Sequence, residues 1–428
     1  MAIDMDAKKV YFGKNNTFGG DPAAGTGGHF LPASILSDGA ALITLGNYAA
    51  SQSSIQQINY GQFLNFDGGS TTNGFKYTPP TGFKAVNQDN LDDTASKITA
   101  WSWIKNRDAA DNHMLFDRVR GVGKDLQLFS NSTVAQATDA NTLQRFLQRG
   151  VQVGNDAKVN TANESFVLWQ WLVGDSATTG TVIPADNPPS IASTVITADA
   201  GHFSVGTFTG AGGASTIGHG LSAAPEFFLV KRIGTSGTGW FIYSKDTTDP
   251  NNKFLRLQGA NAEDSASGAW SPGATTMGLN ESSLNGINTS GVDHLFIAFR
   301  SVPGVCKVGS YIGNGDGSSS SFDGPYISTG FKPKWLMVKW MQGGSLSGEG
   351  WLIKDTSRQV INPNDDADIY ASQSTGENAG ATHGADILAD GFKLRGGGGA
   401  NNKSGAKYLY LAMAEIGGNG TLPPVYGR

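Results

Sequence analysis

The chain has 428 residues, of which 39% are hydrophobic and only 16% are charged, against about 25% charged in an average globular protein. The formal charge of −5 at pH 7 gives no electrostatic reason to expect nucleic acid as a partner. A single cysteine excludes an intrachain disulfide and a thiolate metal cluster. No apolar run reaches the ~18 residues of a membrane-spanning helix. The 59 glycines predict many turns and an uncharged polar surface, a profile typical of extracellular or virion β-proteins.

The N-terminal residues, 1–95, are predicted to form a separate β unit. Val10–Phe18 reads as a strand followed by a tight hairpin turn at Asn15 and Asn16. Ile58–Gln62 and Phe75–Ala85 follow as strands, and Asn90-Leu91 ends the unit. These strings resemble the closing half of a SPRY-type (B30.2) β-sandwich.

Because the sequence begins at Met1, we expect the strands that precede this half in SPRY domains to be missing. The first residues are charged, so we expect no export signal. A half-sandwich has open edges and an exposed apolar face. We therefore expect another chain, symmetry mates or the following module to complete it. Self-association, with a trimer favoured, is the expectation.

After this unit, one motif occurs three times: an aromatic-rich apolar run ends in lysine, and a loop, a short aromatic strand and an aspartate follow. A further apolar strand closes each copy. The lysines are Lys105, Lys231 and Lys339, and the aspartates are Asp117, Asp246 and Asp355. An internal repeat indicates an array of structural modules.

The predicted fold is all-β, a tandem row of antiparallel β-sandwiches, because short apolar runs rich in aromatic and β-branched residues alternate with Gly, Asn and Ser clusters. The one predicted helix covers 141–149, with Leu143, Phe146 and Leu147 on one face. The expected boundaries are 96–175 for module 1, 176–204 for a Pro/Ser/Thr-rich linker, 205–303 for module 2, 304–417 for module 3 and 418–428 for a C-terminal arm.

Three segments of module 1 resemble an uncharacterised module of virion and tail-fibre proteins from marine and other tailed bacteriophages. They are Trp103–Arg107, Asn112–Gly121 and Leu128–Thr133. His219–Pro225 fits the same family more weakly in module 2. In that family the module often follows a SPRY-like unit, as it does here. The resemblance implies a location in the virion and supplies no catalytic residues.

Little in the sequence predicts an enzyme. His113 and Asp117 stand four residues apart, which on a strand places them on one face some 13 Å apart, so a structural role is favoured. The repeated aspartates are expected to cap the turn after their strand. The repeated lysines are expected to bury their stems and expose their amines. We expect no cofactor.

Two features leave alternatives open. Asp365–Asp368, with Asn362 and Asn364 before it, is an oxygen-rich loop that fits Ca²⁺ or, as we favour, a solvated turn without the Gly and Glu of an EF-hand. Exposed aromatic rings beside polar loops could stack on sugars, although core packing explains most tryptophans. The candidate glycan contacts are Trp240, Trp270, Trp351 and Tyr370.

The sequence therefore predicts a virion structural protein, a tail fibre or tail-associated adhesin, whose N-terminal unit docks to the particle while module 3 reaches the host surface. The partners would be other virion proteins and a host glycan or protein. One alternative is a head fibre or capsid decoration protein. An alternative of another class is a surface-polysaccharide depolymerase, which would need two carboxylates roughly 5 to 10 Å apart in a groove.

Overall fold

A computed structural model describes residues 2–4, 9–14, 17–30, 80, 97–121, 126–147, 150–174, 180–181, 188–315, 323–346, 348–359, 362, 367–378 and 382–414. The chain divides into two compact units, Met1–Asp93 and Thr94–Arg428. Strands are nearly the only regular secondary structure among the described residues, and they form several open antiparallel sheets. The predicted all-β class is confirmed.

The first unit contains short strands. They are β1 (Ala2–Asp4), β2 (Lys9–Tyr11), β3 (Gly13–Lys14), β4 (Thr17–Phe18), β5 (Gly20–Asp21), β6 (Thr26–Gly27) and β7 (His29–Phe30). Gly13 pairs with Phe18 and Lys14 with Thr17, which confirms the predicted hairpin. The predicted strands Ile58–Gln62 and Phe75–Ala85, and the terminal Asn90-Leu91, lie outside the described residues except for Pro80.

The second unit contains all three copies of the repeat. The first copy has β8 (Lys97–Asn106), β9 (Met114–Asp117), β10 (Leu128–Phe129), β11 (Leu143–Leu147), β12 (Gly150–Val153), α1 (Ala157–Asn160) and β13 (Phe166–Gly174). The second has β14 (Gly180–Thr181), β15 (Ser193–Thr197), β16 (Phe203–Thr209), β17 (Ala214–Gly218), β18 (Phe227–Arg232), β19 (Trp240–Ser244), β20 (Lys253–Arg256), β21 (Asp264–Ser265), β22 (Trp270–Pro272), β23 (Thr276–Asn280) and β24 (Asp293–Phe299). The third has β25 (Cys306–Ile312), β26 (Tyr326–Ser328), β27 (Pro333–Gly343), β28 (Trp351–Asp355), β29 (Ile369–Tyr370), β30 (Ala385–Leu388), β31 (Gly391–Leu394) and β32 (Ala406–Ala414).

The main sheets of the copies share one strand order. It is β25-β32-β27-β28-β29 in the third copy, β16-β24-β18-β19-β20 within the larger sheet of the second, and β13-β8-β9-β10 in the first. In each sheet the strand that contains the repeated lysine (the lysine strand) lies between the closing strand and the strand that leads to the repeated aspartate (the aspartate strand). The repeat in the sequence is therefore a repeat in topology.

Successive side chains of each lysine strand point into two different cores. In β27, Trp335 and Met337 enter a core that residues of all three copies share. Leu336 and Val338, on the opposite face, enter an outer core that belongs mainly to the third copy. The first and second copies have outer cores of their own. Because a strand sends successive side chains to opposite faces, one apolar run serves both cores.

The shared core adds a feature that the predicted row of sandwiches lacked, since the main sheets of the three copies pack against one another through it. One boundary prediction is wrong: residues 176–204 are not only a linker, since β15 pairs with β16 and extends the sheet of the second copy. Val195 and Ile196 within β15 are buried, and this β-branched pair stabilises a strand despite the surrounding prolines.

The helix predicted over 141–149 is wrong. Leu143–Leu147 forms a hairpin with Gly150–Val153, and Leu143 and Phe146 both enter the outer core of the first copy. The register shifts between Leu143 and Arg145, so a bulge brings two residues at helical spacing to the same face of a strand.

A glycine recurs in β16 and β25 for a packing reason. Gly206 lies opposite Phe296 and Gly309 opposite Tyr410 on the closing strands. A Cβ at Gly206 would lie 2.5 Å from the Phe296 ring, and one at Gly309 would lie 2.6 Å from the Tyr410 hydroxyl. The aromatic ring covers the glycine, which explains the repeated Val-Gly pair of the opening strands.

Candidate functional site

Three of the four predicted glycan contacts are buried. Trp240, Trp270 and Trp351 are 0%, 2% and 1% exposed, so the expectation that these rings face solvent is wrong. Trp240 and Trp351 lie in the shared core, and Trp270 lies in the outer core of the second copy. Tyr370 is half-buried, and its hydroxyl lies 3.1 Å from Nδ1 of His383.

The rings at the start of the aspartate strands link the copies. The indole Nε1 of Trp240 donates to the carbonyl of Phe129 in the first copy at 2.8 Å. The indole of Trp351 donates to the carbonyl of Arg256 in the second copy at 2.8 Å. Both carbonyls occupy the same place in the strand that follows the aspartate strand.

His113 makes the third contact of this kind. Its Nδ1 accepts a 2.7 Å bond from the indole of Trp103, which leaves Nε2 to donate to the carbonyl of Tyr370 in the third copy at 3.1 Å. Burial, reinforced by Lys105, lowers the pKa of His113 to about 3, so the imidazole is neutral at pH 7. The three contacts form a closed cycle, and the structural role that we expected for His113 is confirmed.

The repeated lysines bury their amines as well as their stems, so the expectation of exposed amines is wrong. Lys105, Lys231 and Lys339 are each 0% exposed. Each Nζ donates to carbonyls in the loop before the aspartate strand: to Ala109 at 3.0 Å, to Thr238 at 2.9 Å, and to Glu349. Burial lowers the pKa of Lys105 and Lys231 to about 8 and that of Lys339 to about 7.

Lys339 also crosses a copy boundary, since its Nζ donates to the carbonyl of Ala260 in the second copy at 2.9 Å. Its amine therefore joins two loops that are distant in sequence. We infer that Lys339 is a structural part of the junction between the second and third copies.

Two of the repeated aspartates cap turns as predicted. Asp117 accepts from the backbone N–H of Arg120 at 3.0 Å, and Asp355 accepts from that of Ser357 at 2.9 Å. Asp246 differs, because its carboxylate receives the Ser310 hydroxyl of the third copy at 3.4 Å. Asp355 receives in addition the indole N–H of Trp169 in the first copy at 3.0 Å.

A charged network joins the first and third copies. Arg107 donates to Glu377 through two nitrogens, at 2.9 Å and 2.8 Å, and Arg358 donates to the same carboxylate at 3.0 Å. The pKa of Glu377 is lowered although burial opposes this, because both guanidinium groups stabilise the carboxylate. No sequence pattern predicted this network, since its members come from loops far apart in the chain.

The third copy holds a polar group of four residues, which we call the Asp368 cluster: Lys354, Asp368, Tyr370 and His383. Asp368 pairs with Lys354 through Oδ1, and Nδ1 of His383 lies 2.7 Å from Oδ2. The carboxylate of Asp368 is 1% exposed and the imidazole of His383 is 18% exposed. Burial, together with the nearby Asp368 carboxylate, raises the pKa of Tyr370 well above its usual value.

The cluster lies at the end of the loop that we considered for Ca²⁺. Residues 363–366 of that loop lie outside the described residues, and the Asp368 carboxylate is committed to Lys354 and His383. Among the described residues no group of three or more His, Cys, Asp or Glu side chains could hold a metal ion. Within the same residues, no helix has the length and apolar character to cross a membrane.

An exposed aromatic side chain in the third copy was missed from the sequence. Tyr326 on β26 is 48% exposed. Its hydroxyl lies 3.3 Å from the Asp390 carboxylate, which also accepts from the Ser328 hydroxyl at 2.8 Å. An exposed ring beside a carboxylate and a hydroxyl is the chemistry that we sought for stacking on a sugar. Alternation along β26 could have predicted this exposure.

The fold and its junctions define a repeat protein in which three β modules close on one core. A family model described as a domain of unknown function, DUF7483, matches residues 75–416. The match covers most of the chain, which therefore belongs to this family. Comparison with curated proteins and with solved structures gives no significant match.

Proposed function

We propose that the protein is a structural component of a tailed-phage virion, and specifically a tail fibre or tail-associated adhesin that attaches the particle to the host surface. The observation that carries the proposal is how the repeated residues are used. Lys339, Asp355 and the rings that open the aspartate strands each bond to a neighbouring copy and so hold the three copies together. They do not converge on one reacting centre, as catalytic groups must.

Support also comes from composition. The surface chemistry of a chain with 16% charged residues and 59 glycines is that of a polar, uncharged exterior. The resemblance of the first copy to phage virion modules agrees with this. The role is mechanical: a rigid three-copy body carries contact loops, and several bodies on one particle raise avidity without a strong individual site.

The third copy is the proposed contact region, with Tyr326 in place of the buried tryptophans. The first test is therefore adsorption of the purified chain to host cells. Tyr326→Ala is expected to reduce adsorption several-fold. Leu168→Ala, which truncates a side chain on the first copy that is 38% exposed, is the matched control and should leave adsorption unchanged. Equal adsorption of both variants and the unmodified chain would exclude Tyr326 as a contact.

Where the chain is located in the phage particle requires a separate experiment. Antibodies raised against the purified chain should label the tails of intact particles in electron microscopy. Labelling of the capsid instead would favour a head fibre or decoration protein. If purified particles contain none of the chain by mass spectrometry, the virion proposal fails.

A further inference from the structure

Lys354 on β28 lies directly opposite Asp368, the residue that precedes β29. Leu352 pairs with Tyr370 and Ile353 with Ile369, so the next step of the antiparallel register brings Lys354 to Asp368. The two side chains form an ion pair in which both are 1% exposed. Lys354 also lies opposite Leu336 of β27, a member of the outer core. The pair is therefore enclosed between the sheets of the third copy.

The second copy shows that this position does not need charge. In the second copy, the residues at the same register are Tyr243 and Phe254, and both belong to an apolar core. An apolar pair of similar volume is often as stable as a buried ion pair or more so, because burying two charges costs desolvation energy. The charges at Lys354 and Asp368 therefore require an explanation other than packing.

We propose that Lys354 and Asp368 condense into an intramolecular amide, an isopeptide bond between Nζ and Cγ. Starting from the ion pair, a proton moves from the ammonium to the carboxylate, which gives a neutral amine and a carboxylic acid. The nitrogen lone pair attacks Cγ, and a tetrahedral intermediate forms. The C–O bond to one carboxyl oxygen then breaks, and this oxygen leaves as water after taking the second nitrogen proton. The products are one amide and one water molecule, with no oxidant and no external reagent.

The surroundings favour each step. An apolar interior solvates a charged pair poorly, and formation of the amide removes both charges. The register holds the two groups in contact, and such proximity replaces the entropy cost of an encounter between free molecules. His383 acts as a positioning residue: its Nδ1 lies 2.7 Å from Oδ2 of Asp368, the oxygen that would leave. The imidazole thereby holds that oxygen in place while it takes its second proton from the lysine nitrogen.

The bond would join β28 to the residue that precedes β29. A covalent tie of this kind suits a chain whose single cysteine, Cys306, is buried and can form no intrachain disulfide. The third copy is also the copy that our functional proposal places at the host surface, although the bond does not depend on that role.

The test is the intact mass of the purified, folded chain. We expect a mass lower than the sequence mass by one water molecule. Tryptic digestion should fail to cleave after Lys354 and should release a branched peptide that contains both Lys354 and Asp368, identified by fragmentation. If the unmodified chain has its full sequence mass, the proposal is overturned.

Variants show which residue is responsible for the loss of one water molecule from the mass. Lys354→Arg keeps the positive charge but removes the primary amine, and it should restore the full mass. Lys158→Arg is the matched control: Lys158 pairs with Asp156 at 3.0 Å, but its side chain is 34% exposed, so this variant should still lack one water. His383→Phe should slow the appearance of the linked form after refolding. Loss of water that persists in Lys354→Arg would assign it to another site and refute the bond.

Discussion

In the unmodified protein, we expect the free energy of unfolding to increase with pH because of Lys339. Replacing Lys339 by methionine should remove this increase. Lys339 is 0% exposed, and burial lowers its pKa from 10.5 to about 7. Between these values the folded protein holds a neutral amine while the unfolded chain is still protonated. Because the unfolded state then binds more protons, the free energy of unfolding increases as pH rises through this window.

The size of the effect follows from the shift. One pKa unit corresponds to about 1.4 kcal/mol, so Lys339 contributes a rise of roughly 1.4 kcal/mol per pH unit and roughly 4 to 5 kcal/mol over the whole window. Methionine cannot titrate, but it leaves the carbonyls of Ala260 and Glu349 without this donor. Each lost partner costs about 1 to 3 kcal/mol. The Lys339→Met variant should therefore be close to the unmodified protein near pH 6 and clearly less stable at pH 9.

Denaturant unfolding followed by tryptophan fluorescence at pH 6, 7, 8 and 9 measures this difference. Lys105 and Lys231 have lowered pKa values too, but they act equally in both proteins, so the difference isolates Lys339. Lys332→Met, at an exposed position of the same copy, is the control and should follow the unmodified protein at every pH. Parallel curves for Lys339→Met and the unmodified protein would show that the reasoning about a neutral buried amine is wrong.

Three further variants test the junctions and the sheets. Trp240→Phe removes the 2.8 Å bond to the Phe129 carbonyl and should lower the free energy of unfolding by about 1 to 3 kcal/mol, measured by denaturant titration; an unchanged value would mean that this junction contributes nothing. Glu377→Gln weakens the pairing with Arg107 and Arg358 and should cost roughly 1 to 2 kcal/mol at pH 7. This cost should shrink on acidification, because a carboxylate with a lowered pKa stabilises the fold above its unfolded pKa and stops doing so as pH falls through the folded pKa; a cost that stays constant down to pH 3 would contradict this. Gly309→Val forces a side chain against Tyr410 and should cost about 1 to 3 kcal/mol or prevent folding, whereas Gly304→Ala, in an open loop with φ of 73°, should cost less; the reverse order in thermal unfolding would refute the packing argument.

The sequence by itself determined the class of the fold and the existence of three equivalent copies. Apolar runs of strand length, punctuated by Gly and Asn, depend on local geometry, and the repeated lysines and aspartates mark the same two strands in each copy. The turn-capping role of Asp117 and Asp355 was also predictable, because such a cap involves only residues that follow closely in the chain.

The tertiary structure decided what each strand face contacts. An apolar run looks the same in sequence whether both faces lie in one sandwich or, as in β27, one face enters a core that three copies share. For this reason the exposure of Trp240, Trp270 and Trp351 and the exposed amine of Lys339 were predicted wrongly. The bulge in β11 likewise placed buried residues of a strand at the spacing expected of a helix, so the helix prediction was wrong. The pairing of Lys354 with Asp368 depends on a cross-strand register, and register is set by contacts between segments that the sequence pattern of either strand does not reveal.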